Sequence, residues 1–209
     1  MEKTKQTPEI LNKSEATFLQ QKDEVTLQAM LKRAQAGDAT LQYELGHMYR
    51  TGERPDGQTF FVQTDQGVSD YQSESFLLDY TKAFFWLTKS AMNGNAAAET
   101  DLGFMYEQGE GVSPYSEAAF DWYQQAAHKG FPPAQNNIAY FYFLGKGVEP
   151  DYQLSYAWAS IAFDNGITMA KEGIRASQQK LNVAQLEEAK KMKEKILETL
   201  AHQKDKWMR

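Results

Sequence analysis

Apolar residues recur along this chain at three- and four-residue intervals, the spacing that lines one face of an α-helix, and short glycine-bearing polar links separate the periodic stretches. The first stretch runs from near Glu24 to Ala36, with Leu27, Met30, Leu31 and Ala34 on one side, and stops at Gly37. Pairs of helices are predicted after it. An A helix covers roughly 39–51, 96–108 and 133–144, and a B helix covers roughly 79–93, 116–129 and 152–165. Tryptophan returns in the B helices at Trp86, Trp122 and Trp158, 36 residues apart each time, and Gly94, Gly130 and Gly166 keep the same step. A fixed period of this length predicts stacked helix pairs, each burying an apolar face only against its neighbours.

The small residues have assigned places in this pattern. Gly46 and Gly103 remove a side chain where two helices approach closely, and Ala98 and Ala134, four positions before Leu102 and Ile138, do the same on that face. The tryptophans are expected to fill the grooves between helix pairs, while Gly94, Gly130 and Gly166 end the B helices in a conformation with positive φ. Gly109, Gly111, Gly145 and Gly147 bend the links between A and B. Ala170 and Ile174 stand 36 residues beyond Ala134 and Ile138, which predicts a fourth A helix. A last helix starts after Asn182 as N-cap, with Leu186, Ala189, Met192, Ile196 and Leu200 along one side.

One interval breaks the period. Leu45 to Leu102 spans 57 residues, whereas Leu102 to Ile138 spans 36, so about 21 residues are inserted within 53–79. Phe60, Phe61, Val62, Val68 and Tyr71 lie there among Gln, Thr, Asp and Gly, a mixture that suits a small hairpin or ordered loop. It is read either as a binding element or as a tolerated insertion packed on its own repeat. The organisation expected is a polar segment at 1–23, a capping helix at 24–37 and repeats at 38–94, 95–130 and 131–166. A partial repeat with a terminal capping helix follows at 167–209.

Composition narrows the function classes. With 42% hydrophobic residues the 209-residue chain can bury a core, and no apolar run approaches the roughly 20 residues that span a bilayer. The polar start lacks the pattern of a secretory signal, which leads to the expectation of a cytoplasmic protein. Zero cysteines remove disulfides, thiolate metal sites and cysteine nucleophiles. The net charge of -6 is unevenly placed: residues 170–209 hold 10 Lys+Arg against 6 Asp+Glu, leaving 12 against 22 before them. An acidic body argues against nucleic acid as a partner; it either serves solubility or steers a basic partner.

The text Ala-x-x-x-Leu-Gly-x-x-Tyr-x-x-Gly-x-Gly-Val at Ala98 to Val112, followed by Ala119, Trp122-Tyr123, Ala126-Ala127 and Gly130, resembles the Sel-1-like repeat, a relative of the tetratricopeptide repeat. The similarity covers about residues 24–180. The third copy departs from it with Ile138-Ala139 for Leu-Gly and Phe163 for the second alanine, and the first copy loses the Gly-x-Gly-Val link to the insertion. The resemblance implies an all-α, right-handed solenoid of stacked antiparallel helix pairs, with an extra loop or hairpin in repeat one and a C-terminal capping helix. It also implies a non-enzymatic scaffold or adaptor for other proteins, one version of which is a bacterial immunity protein neutralising a toxin or effector.

Chemistry in the sequence is sparse. Ser177 and Lys180 have the Ser-x-x-Lys spacing of penicillin-recognising enzymes, but no Ser-Asp-Asn or Lys-Thr-Gly accompanies them. His47, His128 and His202 lack metal-ligand spacing, and Asp101 and Glu107, like Glu187 and Glu188, read as ordinary helix surface. No catalytic residue, cofactor or metal is therefore expected, and a β-lactam-binding hydrolase or a self-associating subunit stands as the rival reading. Binding sites are expected on the concave face of the A helices. Counting from each Leu or Ile places Tyr43, Thr100 and Asn136, then His47, Phe104 and Tyr140, then Arg50, Glu107 and Phe143 on that face, with Phe60 and Phe61 of the insertion as further contacts. The alternative for Phe104 and Phe143 is packing between repeats.

Overall fold

The computed structural model describes residues 28–52, 62–64, 67–69 and 78–207. Helix α1 covers 28–35. It is followed by α2 (Ala39–Thr51), strands β1 (Val62–Thr64) and β2 (Gly67–Ser69), α3 (Tyr80–Met92), α4 (Ala96–Gln108), α5 (Ser116–His128), α6 (Pro132–Leu144), α7 (Tyr152–Asp164), α8 (Ala170–Gln178) and α9 (Val183–Trp207). Antiparallel pairs α2–α3, α4–α5 and α6–α7 stack in chain order, and α8 and α9 pack on α7. The result is a solenoid of helical repeats. The break in period is a hairpin: β1 and β2 run antiparallel with Val62 opposite Ser69 and Thr64 opposite Gly67. Phe60, Phe61 and Tyr71 lie outside the described residues.

Local chemistry sets the helix ends. Asp38, Asp79, Asn95 and Asp151 accept hydrogen bonds from amides of the first turns they precede, which satisfies donors that have no partner inside the helix. The A helices stop where Gly52, Gly109 and Gly145 turn left-handed and return their amides to Met48, Met105 and Phe141. Asn182 and Gln185 cap each other reciprocally at 3.0 Å and start α9. The Asp79 amide donates to the Tyr49 carbonyl at 2.9 Å, so the chain re-enters α3 against the end of α2 and the insertion leaves the repeat geometry intact.

Two buried blocks hold the stack together. The N-terminal one includes Met30, Leu45, Met48, Trp86, Leu87, Leu102 and Met105; the C-terminal one includes Tyr123, Ile138, Phe141, Trp158 and Ile161, with Ile196, Leu197 and Leu200 of α9 laid against it. Trp86 and Trp158 are 6% and 3% exposed, as expected, but Trp122 is only half-buried. The difference lies in the preceding B helix. His128 covers Trp158 edge-on at 5.2 Å, while Met92, the residue in the same register before Trp122, is 79% exposed.

Close packing explains the glycines at the helix pairs. A Cβ on Gly103 would stand 2.7 Å from the Tyr123 ring, and one on Gly46 would stand 2.6 Å from the Leu87 side chain and 2.9 Å from its amide nitrogen. In repeat three the corresponding residues are Ala139 and Ala159. The B-helix residue that closes the floor between successive A helices is thus Leu87, then Tyr123, then only an alanine.

Candidate functional site

The A helices present one continuous face, and its two ends differ. Toward the N-terminus the expected residues are tied up with each other. Asp101 on α4 accepts from the Arg50 guanidinium at 3.1 Å and lies 3.1 Å from Nδ1 of His47, both on α2, while Arg50 also faces Glu110 at 3.6 Å. These side chains are between 14% and 22% exposed, so each charge depends on its partner for solvation. Burial pushes the Glu110 carboxyl up, against the pull of Arg50. The Tyr43 hydroxyl, against the His47 ring, is pushed up to about 12, first by burial and then by Asp101. Asp101 and Glu107 are therefore not the ordinary helix surface that their spacing suggests. Asp101 is an inter-repeat tie, because α2 and α4 put it opposite the Arg50 guanidinium and the His47 ring.

Thr100 does not look into the groove: it is buried and donates to the Ala96 carbonyl of its own helix at 2.8 Å. Phe104 forms the boundary between the two ends. The Arg50 guanidinium lies 5.1 Å from the centre of its ring, yet Phe104 remains 37% exposed.

Beyond Phe104 the face opens into a recess of about 510 Å³ bounded by α4, α6, α7 and α8. Phe104 and Glu107 come from α4; Asn136, Tyr140 and Phe143 come from α6. Five of the residues expected on the concave face thus converge on it. Met169, Glu172, Gly173 and Ala176 form the opposite wall, and Ala139, Ser155 and Ala159 lie at the bottom. Glu107 accepts from the Tyr123 hydroxyl at 2.9 Å and from Lys146 at 2.8 Å. Burial, then the Glu107 charge, raises the Tyr123 hydroxyl far above its ordinary range, so it stays a neutral donor. Phe143 meets Tyr152 edge-to-face at 5.5 Å and keeps its place in the wall.

The second wall escaped the sequence reading. Glu172 and Ala176 sit on the partial fourth A helix with Met169 at its N-cap, and the depth of the recess comes from Ala159. Its signal was present in the register: Leu87, Tyr123 and Ala159 stand 36 residues apart, and only the last is small.

The remaining chemistry is structural. The Ser177 hydroxyl is fully buried 2.9 Å from the Ser155 hydroxyl, and the Lys180 ammonium lies over the Tyr152 ring at 5.9 Å. A buried serine without a base beside it has no route to a substrate. Among the described residues no three His, Asp or Glu side chains are grouped to hold a metal ion, and no helix is long and apolar enough to cross a membrane.

Comparison with known proteins agrees with this geometry. The model for the Sel1 repeat matches residues 39–59, 77–95, 96–131 and 132–167, more than half of the chain. No curated protein matches by sequence. Among solved structures, a Sel1 repeat protein from Oxalobacter formigenes is 29% identical with a TM-score of 0.56, over 72% of this chain and 97% of that one. The protein c5321, a protective antigen of uropathogenic Escherichia coli with an SLR fold, is 26% identical with a TM-score of 0.58, over 85% of this chain and 41% of that one. With four repeats matched and a solved Sel1 repeat protein aligned over nearly its whole length, the chain belongs to the Sel1 repeat family, whose members generally act as non-enzymatic scaffolds for protein–protein interaction.

Proposed function

We propose that this protein is an adaptor that holds a segment of another protein in the recess between α4, α6 and α8. One observation carries the reading: Phe104, Tyr140 and Phe143 stand around an open cavity whose floor is an alanine where the preceding repeats place Leu87 and Tyr123. A large apolar side chain of the partner would occupy that place, anchored by ring contacts from the walls. Glu172 lines the recess beside Glu107, whose charge is already met by Lys146, and among the described residues no Lys or Arg lines it, which supports a partner with a cation beside its apolar anchor. Neutralisation of a basic toxin or effector is one concrete form of this role. A cytoplasmic setting is part of the reading, supported by a chain without cysteine.

The test uses the partner recovered by affinity purification from the native host and titrated against purified protein. Replacing Phe104 and Tyr140 together by Ala is expected to weaken it at least about 10-fold while the repeats stay folded, since aromatic anchors carry a disproportionate share of interface energy. Unchanged affinity in a folded double variant would remove the recess as the binding site.

A further inference from the structure

Each of the three complete A helices carries, three residues before its Leu or Ile, a buried polar side chain that fastens it to neighbouring helices. In repeat one Gln42 donates its amide to the Ala34 carbonyl at 2.9 Å, and its oxygen accepts from Asn93 at 3.0 Å. In repeat three Gln135 donates to the Ala127 carbonyl at 3.5 Å and accepts from Asn165 at 2.9 Å. The amide thus serves as donor on one side and acceptor on the other. In repeat two the same two positions hold Glu99 and Lys129. Lys129 donates to Glu99 Oε1 at 2.5 Å and to the Gly94 carbonyl at 3.1 Å, which reproduces the Asn-to-Gln half of the arrangement. Glu99 Oε2 stands where the glutamines have their NH2, and it is buried without a hydrogen-bond partner. Glu99 is 2% exposed. By the repeat register the group that the missing donor would serve is the carbonyl of Ala91, 57 residues after Ala34 and 36 before Ala127.

A carboxylate cannot fill that role. Ionised, it would turn a lone pair toward a main-chain carbonyl in a site closed to water, which leaves a buried charge oxygen unsatisfied. Protonated on Oε2, a carboxylic acid has the same donor-and-acceptor pattern as a glutamine amide, with Oε1 still accepting from Lys129. We propose that Glu99 holds a proton on Oε2 in the folded protein and donates it to the Ala91 carbonyl, so that the junction between repeats one and two is a proton-operated latch. Lys129, at the end of α5, is the charged group that reaches Glu99; α3 and its following turn bring none to it among the described residues. Burial raises the carboxyl and outweighs the opposing hydrogen bond and charge of Lys129.

The sign of the pH dependence follows. A carboxyl raised on folding gives stability that is complete below the ordinary value of 4.5 and is lost as pH rises through the folded-state value. The N-cap carboxylates Asp38 and Asp79, lowered on folding by their amide and side-chain hydrogen bonds, have the opposite slope. Wild type must therefore be read against Glu99→Gln, in which the latch is locked and every other group is kept.

Thermal unfolding of both proteins from neutral pH down to 4.5 is the experiment. Glu99→Gln is expected to melt about 2–4 °C higher at neutral pH, with the gap closing as pH falls toward 4.5 and the Glu99 carboxyl of the unfolded chain is protonated as well. The pair Glu99→Gln with Lys129→Asn, which copies repeats one and three, is expected to show a gap over wild type that closes in the same way as pH falls. In protein labelled with ¹³C at glutamate carboxyls, one resonance should titrate above 4.5 and vanish in Glu99→Gln. If Glu99→Gln melts lower than wild type at neutral pH, or the Glu99 carboxyl titrates at or below 4.5, the ionised pair with Lys129 is the native state and the latch is wrong.

Discussion

The two ends of the A-helix face are built on one repeat pattern and have opposite characters. At the junction of α2 and α4 the floor residue is Leu87, and above it Asp101 holds Arg50 and His47 at 3.1 Å while Glu110 faces Arg50 at 3.6 Å. At the junction of α6 and α8 the floor is Ala159, and above it Tyr140 and Met169 are 52% and 72% exposed. The first end uses its polar groups to hold repeats together, and the second leaves apolar surface without a partner among the described residues. On the proposed function, stability and binding fall to different repeats of the same array, as a fold in which each repeat touches only its neighbours allows.

Removing Asp101 should break this contrast hardest. In Asp101→Ala the Arg50 and His47 side chains keep little access to water and lose their shared acceptor, with only Glu110 at 3.6 Å left to Arg50, so a loss of roughly 3 kcal/mol is expected in urea unfolding. A loss under about 1 kcal/mol would mean that the N-terminal end is an ordinary surface. Next comes Ala159→Leu, which puts back the floor residue of repeat one without the glycine that accommodates it there, at an expected cost of about 1–3 kcal/mol from overpacking. Adding Ala139→Gly should recover most of that cost, because Gly46 with Leu87 is the pair being copied, and both variants should lose partner binding through a filled recess. Additive effects in the double variant would show that positions 139 and 159 are not a packing pair.

Smaller in its effect on stability is Glu107→Gln. The Tyr123 hydroxyl keeps an acceptor and Lys146 can turn to solvent, so about 1 kcal/mol or less is expected by the same unfolding assay. Smallest of all should be Tyr140→Ala, within about 0.5 kcal/mol of wild type, since the side chain is half exposed at the open end. A large loss there would assign Tyr140 to the fold and remove it from the binding surface.

Helix type, length and order were legible along the sequence because they depend on local periodicity and on caps: Asp38, Asn95 and Gly109 act where the chain places them. The hairpin was legible for a related reason, as a break in an otherwise fixed step. Half of the recess could be read from the face of α4 and α6. The half from α8 could not, because Met169 and Glu172 follow the point at which the repeat text fades. Asp101 was misread because a helix-surface carboxylate and an inter-repeat tie have the same local spacing, and only the neighbour across the junction separates them.

By itself, then, the sequence determined the repeat, its phase, its glycines and the place of its insertion, since each follows from contacts within a turn or within one step of 36 residues. Tertiary structure decided which polar residues are spent on the stack and which apolar ones stay open. That division depends on what stands opposite each side chain across a junction: Arg50 and His47 facing Asp101, an alanine floor beneath Tyr140, an absent donor at Glu99.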